Sequence, residues 1–219
     1  MNVPLFSGTF HFKDVSSEYI FATSCITTNN QQLASTRSIR TSNFVPRTFF
    51  LIFAQTKTIM PYRIGSGVDF HKLVEGRDLW IGGVKVPHHK GALGHSDADV
   101  LLHAICDAML GAVSLGDIGV HFPDTDVSYK NIDSKILLKK TKELIIKEGY
   151  AVVNIDTTLC LQAPKIKPYV AEMQKVIADI VGVTIKDVSV KATTTEQLGF
   201  IGREEGLVAY ATVMLRKTI

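Results

Sequence analysis

The sequence predicts an α+β fold, an α/β sandwich of about 160 residues in which a mixed sheet is covered on one side by helices. Three observations point to it. Segments of helical period and segments of strand character alternate from Tyr62 onward with no repeat or linker between them. One helical stretch, carrying Val100, Leu101, Leu102, Ile105, Met109 and Leu110, is apolar on nearly every side and so belongs inside the molecule. Gly82-Gly83, between Leu79-Trp80-Ile81 and Val84-Lys85-Val86, is a strong two-residue hairpin signal.

Composition narrows the function classes. At 219 residues, 46% hydrophobic and 21% charged, the chain can bury one substantial core. No apolar run approaches the roughly 20 residues needed to cross a bilayer, so a membrane-spanning protein is excluded. The net charge of +3 resides entirely in residues 1–59, which leaves the remainder balanced and without an electrostatic footprint for nucleic acid. Cys25, Cys106 and Cys160 are too scattered for a thiolate motif, and a reducing compartment fits them best. Histidine is concentrated instead, with six of seven between His71 and His121.

In chain order, residues 1–59 are rich in Ser, Thr and Asn, poor in acids, and aperiodic apart from the apolar run Phe49-Phe50-Leu51-Ile52-Phe53-Ala54. They read either as a transit peptide or as an extension upstream of a start at Met60. The direct run of Met60-Pro61-Tyr62-Arg63 into the first strand favours the extension. Residues 63–71 then read as a strand ending in a glycine-marked loop, followed by the hairpin. A helix is predicted over about 97–113, with Ser96 as N-cap and Asp99 as the acid of a capping box. Residues 116–126 are polar and turn-rich, hence loop. A second helix spans about 133–148, capped by Asp133 or Ser134 and stopped by Gly149. A strand over 150–161, a loop, a third helix over about 168–181 with Gly182 as C-cap, and strands over 187–192 and 207–215 complete the chain.

Chemistry enters through a polar stripe on the buried helix. Asp99, His103 and Asp107 stand at successive i, i+4 steps, and buried ionisable groups need a metal, a ligand or a counter-charge. Asp69 and His71, two apart on a strand, project from one face. With His103 they make three N/O ligands and leave a fourth position open, a common zinc arrangement. Asp107, one turn beyond His103, is placed to orient its imidazole. The same residues admit a plainer reading, with Asp69 forming a turn and His103 a hydrogen-bonded core histidine. His95 and Ser96 at the helix start read as a phosphate site or as capping alone. Lys191-Ala192-Thr193-Thr194-Thr195-Glu196 suits phosphate oxygens and a divalent ion, or else a solvated turn. His88-His89 reads as an exposed turn. H-E-x-x-H, P-loop and dinucleotide-binding motifs are all absent from the sequence.

Together these pieces resemble the 2-C-methyl-D-erythritol 2,4-cyclodiphosphate synthase family. The matching segments are Arg63-Ile64-Gly65-x-Gly67-x-Asp69-x-His71, His95-Ser96-Asp97-x-Asp99-Val100-x-Leu102-His103 and Gly116-Asp117-Ile118-Gly119. They continue with Phe122-Pro123-Asp124-Thr125-Asp126, Gln162-Ala163-Pro164-Lys165, and Lys191-Ala192-Thr193-Thr194-Thr195-Glu196-x-Leu198-Gly199-Phe200-x-Gly202-Arg203. They follow family order across residues 61–217, so that 60–219 would be the catalytic domain.

The resemblance implies a homotrimer whose active sites lie between subunits, each holding one Zn2+ on Asp69, His71 and His103. It implies that the substrate, 4-diphosphocytidyl-2-C-methyl-D-erythritol 2-phosphate, cyclises with loss of CMP. Mg2+ or Mn2+ would bridge the substrate diphosphate, with Glu196 as its protein ligand. Cytidine would be held by Leu161, Gln162, Ala163, Pro164, Lys165, Ile166 and Lys167 together with Thr193 and Thr195. The erythritol part would be held by Asp117, Ile118, Gly119 and the segment from Phe122 to Asp126. His95 and Thr194 match positions that stabilise the transition state, and Ser96, Phe200 and Arg203 match substrate contacts. Ser66 stands where many members carry histidine, and Leu161 where a small residue is common. A rival reading is a binding module with structural zinc and an isoprenoid in a cavity on the trimer axis; another is a zinc-dependent phosphohydrolase. The resemblance to bacterial members implies the cytoplasm, with a plastid as the alternative if residues 1–59 are a transit peptide.

Overall fold

Two glycines determine how the main helix meets the sheet. In the computed structural model, which describes residues 61–218, strand β1 runs Tyr62–Glu75 and helix α1 runs Val100–Ala112. A Cβ on Gly65 would lie 1.9 Å from the Ala108 carbonyl oxygen, and one on Gly67 2.1 Å from that of Ala104. Glycine is therefore required for the helix backbone to lie directly on the strand. The expected loop around these glycines is corrected: they are mid-strand, and β1 continues to Glu75.

Beyond β1 come the hairpin strands β2 (Leu79–Ile81) and β3 (Val84–Val86), then β4 (Lys90–Leu93), a short strand not expected from the sequence. Gly82 and Gly83 both have positive φ, 61° and 78°, as the expected tight turn requires. After α1, a four-residue helix α2 (Ile118–His121) interrupts the stretch expected to be loop, capped by the Asp117 carboxylate on Val120 N–H. Helix α3 (Ser134–Lys147), strand β5 (Tyr150–Cys160) and helix α4 (Val170–Val181) follow as expected, with Asp133 and Gly182 as caps. Strand β6 (Val188–Thr193), a four-residue helix α5 (Gly199–Gly202) and strand β7 (Gly206–Lys217) close the chain.

The main sheet has the order β4-β1-β7-β5-β6, antiparallel except for the parallel β5–β6 pair. Helices α1, α3 and α4 pack on one face and on one another. The inner face is apolar: Leu207, Ala209, Ala211, Val213 and Leu215 of β7 alternate inward beside Ile155 and Leu159 of β5. The other face is open, with Ile64 at 67%, Val68 at 42% and Phe70 at 57% exposure.

The start of α1 differs from expectation. Its N-cap is Asp99, not Ser96, and the helix begins at Val100. Ala98, at φ 58°, turns the chain sharply just before it. The buried Asp99 carboxylate accepts N–H from Leu101 at 3.1 Å and Leu102 at 3.0 Å, and from the hairpin turn at Gly82 (2.9 Å) and Gly83 (2.6 Å). A carboxylate therefore occupies the end of the helix that was read as an anion site for His95 and Ser96. Residues 1–59, with their alternative readings, lie outside the described residues, as does Cys25. No helix among the described residues is long and apolar enough to cross a membrane.

Candidate metal centre and flanking clefts

Asp69, His71 and His103 converge where β1 meets α1. Odd-numbered residues of β1 face the helix, so Asp69 and His71 point inward opposite Ala209 and Leu207, and His103 comes down from α1 to meet them. Asp69 Oδ2 lies 3.1 Å from His71 Nε2 and 3.1 Å from His103 Nδ1, and the two nitrogens are 3.2 Å apart. A tetrahedral zinc with bonds near 2.0–2.1 Å sets its donors about 3.3 Å apart, so this nearly equilateral triangle fits such an ion. The three side chains retain only 23%, 15% and 13% exposure.

The electrostatics agree. Burial pushes the Asp69 carboxyl up, but hydrogen bonds from His103 and His71 outweigh it and hold the group well below the usual carboxylate range. Burial likewise pushes His103 down, and the hydrogen bond and charge of Asp69 reverse this, leaving it raised. These are groups arranged to share either a proton or a metal ion.

His103 is oriented by Ser134, which the sequence offers only as a candidate helix cap. Its Nε2 lies 2.9 Å from the hydroxyl of Ser134, at the start of α3, and 3.1 Å from that of Ser96. Asp97 accepts from the Ser134 hydroxyl with one carboxylate oxygen and from its backbone N–H with the other. Asp107 does not orient His103; its carboxylate accepts Ile118 N–H at 2.8 Å and so ties the 117–119 loop to α1. Burial raises the Asp107 carboxyl, and that N–H partly offsets the effect. Asp99, the third member of the stripe, faces the hairpin. Ser134 was visible in the sequence only as a candidate cap, because no spacing rule links it to a histidine 31 residues earlier.

A cleft of about 540 Å³ opens beside the triangle. His71, His103, His95 and Ser96 line one side, and Ile118, Gly119, Phe122, Pro123, Asp124 and Thr125 another. Tyr129, Ile132 and Leu137, not foreseen as site residues, complete it. The His95 loop is fixed by Asn131 N–H to His95 O at 2.7 Å and Asp97 N–H to Ile132 O at 3.1 Å. Asp117 and Asp126 are engaged as caps, the latter on Ser128 N–H at 2.9 Å.

The remaining expected residues gather elsewhere. Leu161, Gln162, Pro164, Lys165, Ile166 and Lys167 line a second cleft of about 580 Å³ together with Thr193 and Thr194, between β6 and α4. Ala163 lies within the same loop. Thr194 donates to Glu196 Oε1 at 2.7 Å, Thr195 to Leu198 O at 2.6 Å, and the Gln162 side chain accepts Gln197 N–H at 3.3 Å. Phe200 faces His71 and Lys72 across a third hollow and packs on Phe70, with ring centroids 6.4 Å apart. Arg203 forms a two-pronged pair with Glu205, both contacts at 2.9 Å. The metal triangle and the second cleft both lie at the C-terminal ends of parallel-running strands, β1 and β6, three strand spacings or about 14 Å apart.

The chain is similar in sequence and fold to proteins already known. A 2-C-methyl-D-erythritol 2,4-cyclodiphosphate synthase of Bacteroides thetaiotaomicron is 61% identical over 158 residues, 72% of this chain and 99% of that protein. Among solved structures, the bifunctional IspDF of Campylobacter jejuni is similar with TM-score 0.69 and 42% identity, covering 71% of this chain; the chain spans 42% of that longer protein. IspF of Plasmodium falciparum in complex with CDP is similar with TM-score 0.63 and 34% identity, over 72% of this chain and 97% of that one. The model of the YgbB family matches residues 62–216, and the chain belongs to that family.

Proposed function

We propose that this chain converts 4-diphosphocytidyl-2-C-methyl-D-erythritol 2-phosphate to 2-C-methyl-D-erythritol 2,4-cyclodiphosphate with release of CMP, in the non-mevalonate route to isoprenoid precursors. The observation that carries this reading is the donor triangle of Asp69, His71 and His103 opening onto a cleft of about 540 Å³. Its similarity to named synthases and its lack of any nucleophile motif both fit an intramolecular phosphoryl transfer. A 2-phosphate oxygen bonds to the β-phosphorus, the bond from that phosphorus to the oxygen bridging it to the α-phosphorus breaks, and CMP leaves with the electron pair. Such a reaction depends on positioning and charge stabilisation.

The residues divide that work. Asp69, His71 and His103 would hold Zn2+, which would supply Lewis-acid stabilisation of phosphate charge. Glu196 would ligate the Mg2+ or Mn2+ that accompanies the diphosphate, which frees the Thr194 hydroxyl now bonded to that carboxylate at 2.7 Å. His95 and Thr194 donate to the oxygens on which charge develops. Ser96 and the loops at 117–119 and 122–126 hold the erythritol phosphate. The 161–167 segment with Thr193 and Thr195 holds the cytidine, and Phe200 and Arg203 flank the substrate.

One chain keeps the two clefts apart, and its open sheet face exposes Ile64, Val68 and Phe70. We therefore assign a homotrimer in which the metal cleft of one subunit is completed by the 161–167 loop of its neighbour. Residues 1–59 are read as an extension outside the catalytic domain, and the enzyme as cytoplasmic, with a plastid as the alternative.

The test is metal analysis with a CMP-release assay on the purified protein. Asp69→Ala and His103→Ala are expected to lose bound zinc and CMP release together. Full turnover without metal in either variant overturns the assignment. Zinc without turnover in the wild type favours the binding module, and free inorganic phosphate favours a phosphohydrolase.

A further inference from the structure

Outside this site, His88, His89 and Glu204 place one ligand atom each within 4.8 Å of one another. Neighbouring residues of an extended chain normally point to opposite sides. Here the chain bends at His89, between β3 and β4, and the two imidazoles lie with centroids 4.3 Å apart at 60°. Both rings are thereby presented to Glu204, which lies in the turn between α5 and β7.

That turn is held in place. Glu204 adopts φ 54°, its N–H donates to Ile201 O at 2.9 Å, and its carbonyl accepts Lys90 Nζ at 3.0 Å. The backbone of Glu204 is thus fixed, and a carboxylate oxygen lies within 4.8 Å of a ring nitrogen of each histidine. His88 Nε2 is shielded from solvent and has no hydrogen-bond partner. A shielded ring nitrogen without a partner is uncommon in a folded protein and calls for an occupant.

We propose that His88, His89 and Glu204 form a second metal site, selective for a transition ion such as Zn2+ that accepts two imidazoles and one carboxylate. Burial, with help from His89 and Lys90, holds His88 below the ordinary imidazole range against the opposing pull of Glu204, which keeps it neutral and able to ligate near neutral pH. The site binds more weakly than the Asp69 triangle because the Lys90 ammonium, held on the Glu204 carbonyl at 3.0 Å, repels the ion. When occupied it staples the β3–β4 connection to the turn that carries Arg203.

The experiment is a Zn2+ titration of the chelator-stripped full-length protein, with metal counted after equilibrium dialysis and Co2+ absorption as a second readout. The wild type is expected to bind two ions per chain with distinct affinities. His88→Ala and Glu204→Gln are each expected to lose the weaker ion and retain the tighter one, whereas Asp69→Ala loses the tighter and retains the weaker. Glu204→Gln keeps the side-chain shape, so a folding defect in His88→Ala does not decide the outcome. Saturation of the wild type at one ion, or persistence of two in Glu204→Gln with equal thermal stability in chelator, overturns the proposal.

Discussion

Ser134 links the metal triangle to the rest of the protein. Its hydroxyl passes the charge of Asp97 to His103 Nε2 at 2.9 Å and fixes which ring nitrogen faces the ion. Ser134→Ala is expected to weaken zinc binding about 10–100-fold, the range found when such outer partners are removed. Competition with a chromophoric chelator checks this, and an unchanged affinity would sink the role. The same affinity should depend on pH. In the metal-free protein His103 is raised above 6.5, so the stability it contributes is complete below that value and is lost as pH rises through the raised one. Asp69 is depressed, so its contribution is present above 3.8 and is lost as pH falls through the depressed value. Zinc needs the neutral imidazole, and affinity should therefore fall roughly tenfold per pH unit below the raised His103 value. A flat profile from about pH 6 to about pH 8 would contradict this proton competition.

Among the elements, α1 and β1 are mutually dependent. Gly67→Ala would put a methyl 2.1 Å from the Ala104 carbonyl oxygen and 2.7 Å from Ala108 N, against helix backbone that cannot rotate away. The expected loss is about 3 kcal/mol, at the upper end for overpacking. Zinc affinity should weaken in the same variant, because lifting α1 separates His103 from Asp69. Denaturant unfolding alongside metal titration tests both effects. The sequence made part of this legible. Asp69-x-His71 could be read because strand alternation dictates a shared face, and His103 because a charged group on an all-apolar helix needs a partner. The glycines could not be placed, since close approach between backbones leaves the same residue type as a turn. The N-cap was missed because Ser96 and Asp99 are both good caps, and the choice between them is made by a hairpin turn 16 residues away that only tertiary structure brings in.

At the scale of the whole molecule, the open face of the sheet is the feature least like a finished monomer. Val68→Glu is expected to turn a trimer into monomers on sedimentation, to leave the zinc on each chain, and to reduce CMP release by about a hundredfold or more, since a site completed across subunits loses its positioning. Full activity in a monomeric variant would refute the shared site. The residues by themselves did not reveal the separation of the two clefts, because their order is the same whether they meet within a chain or between chains; only the family resemblance implied sites between subunits.

The place of β1 in the sheet also governs how the protein is made. Over Asp69 and His71 its strand partner is β7, which is synthesised long after β1, with Asp69 opposite Ala209. β4 reaches β1 only from Lys72 to Glu75. Pairing across such a sequence separation is slow, and until β7 arrives the strand bearing two donors lacks its sheet partner over those residues. A nascent chain that stops short of β7 therefore lacks a rigid triangle, and metal capture becomes a late event that reports the arrival of that strand.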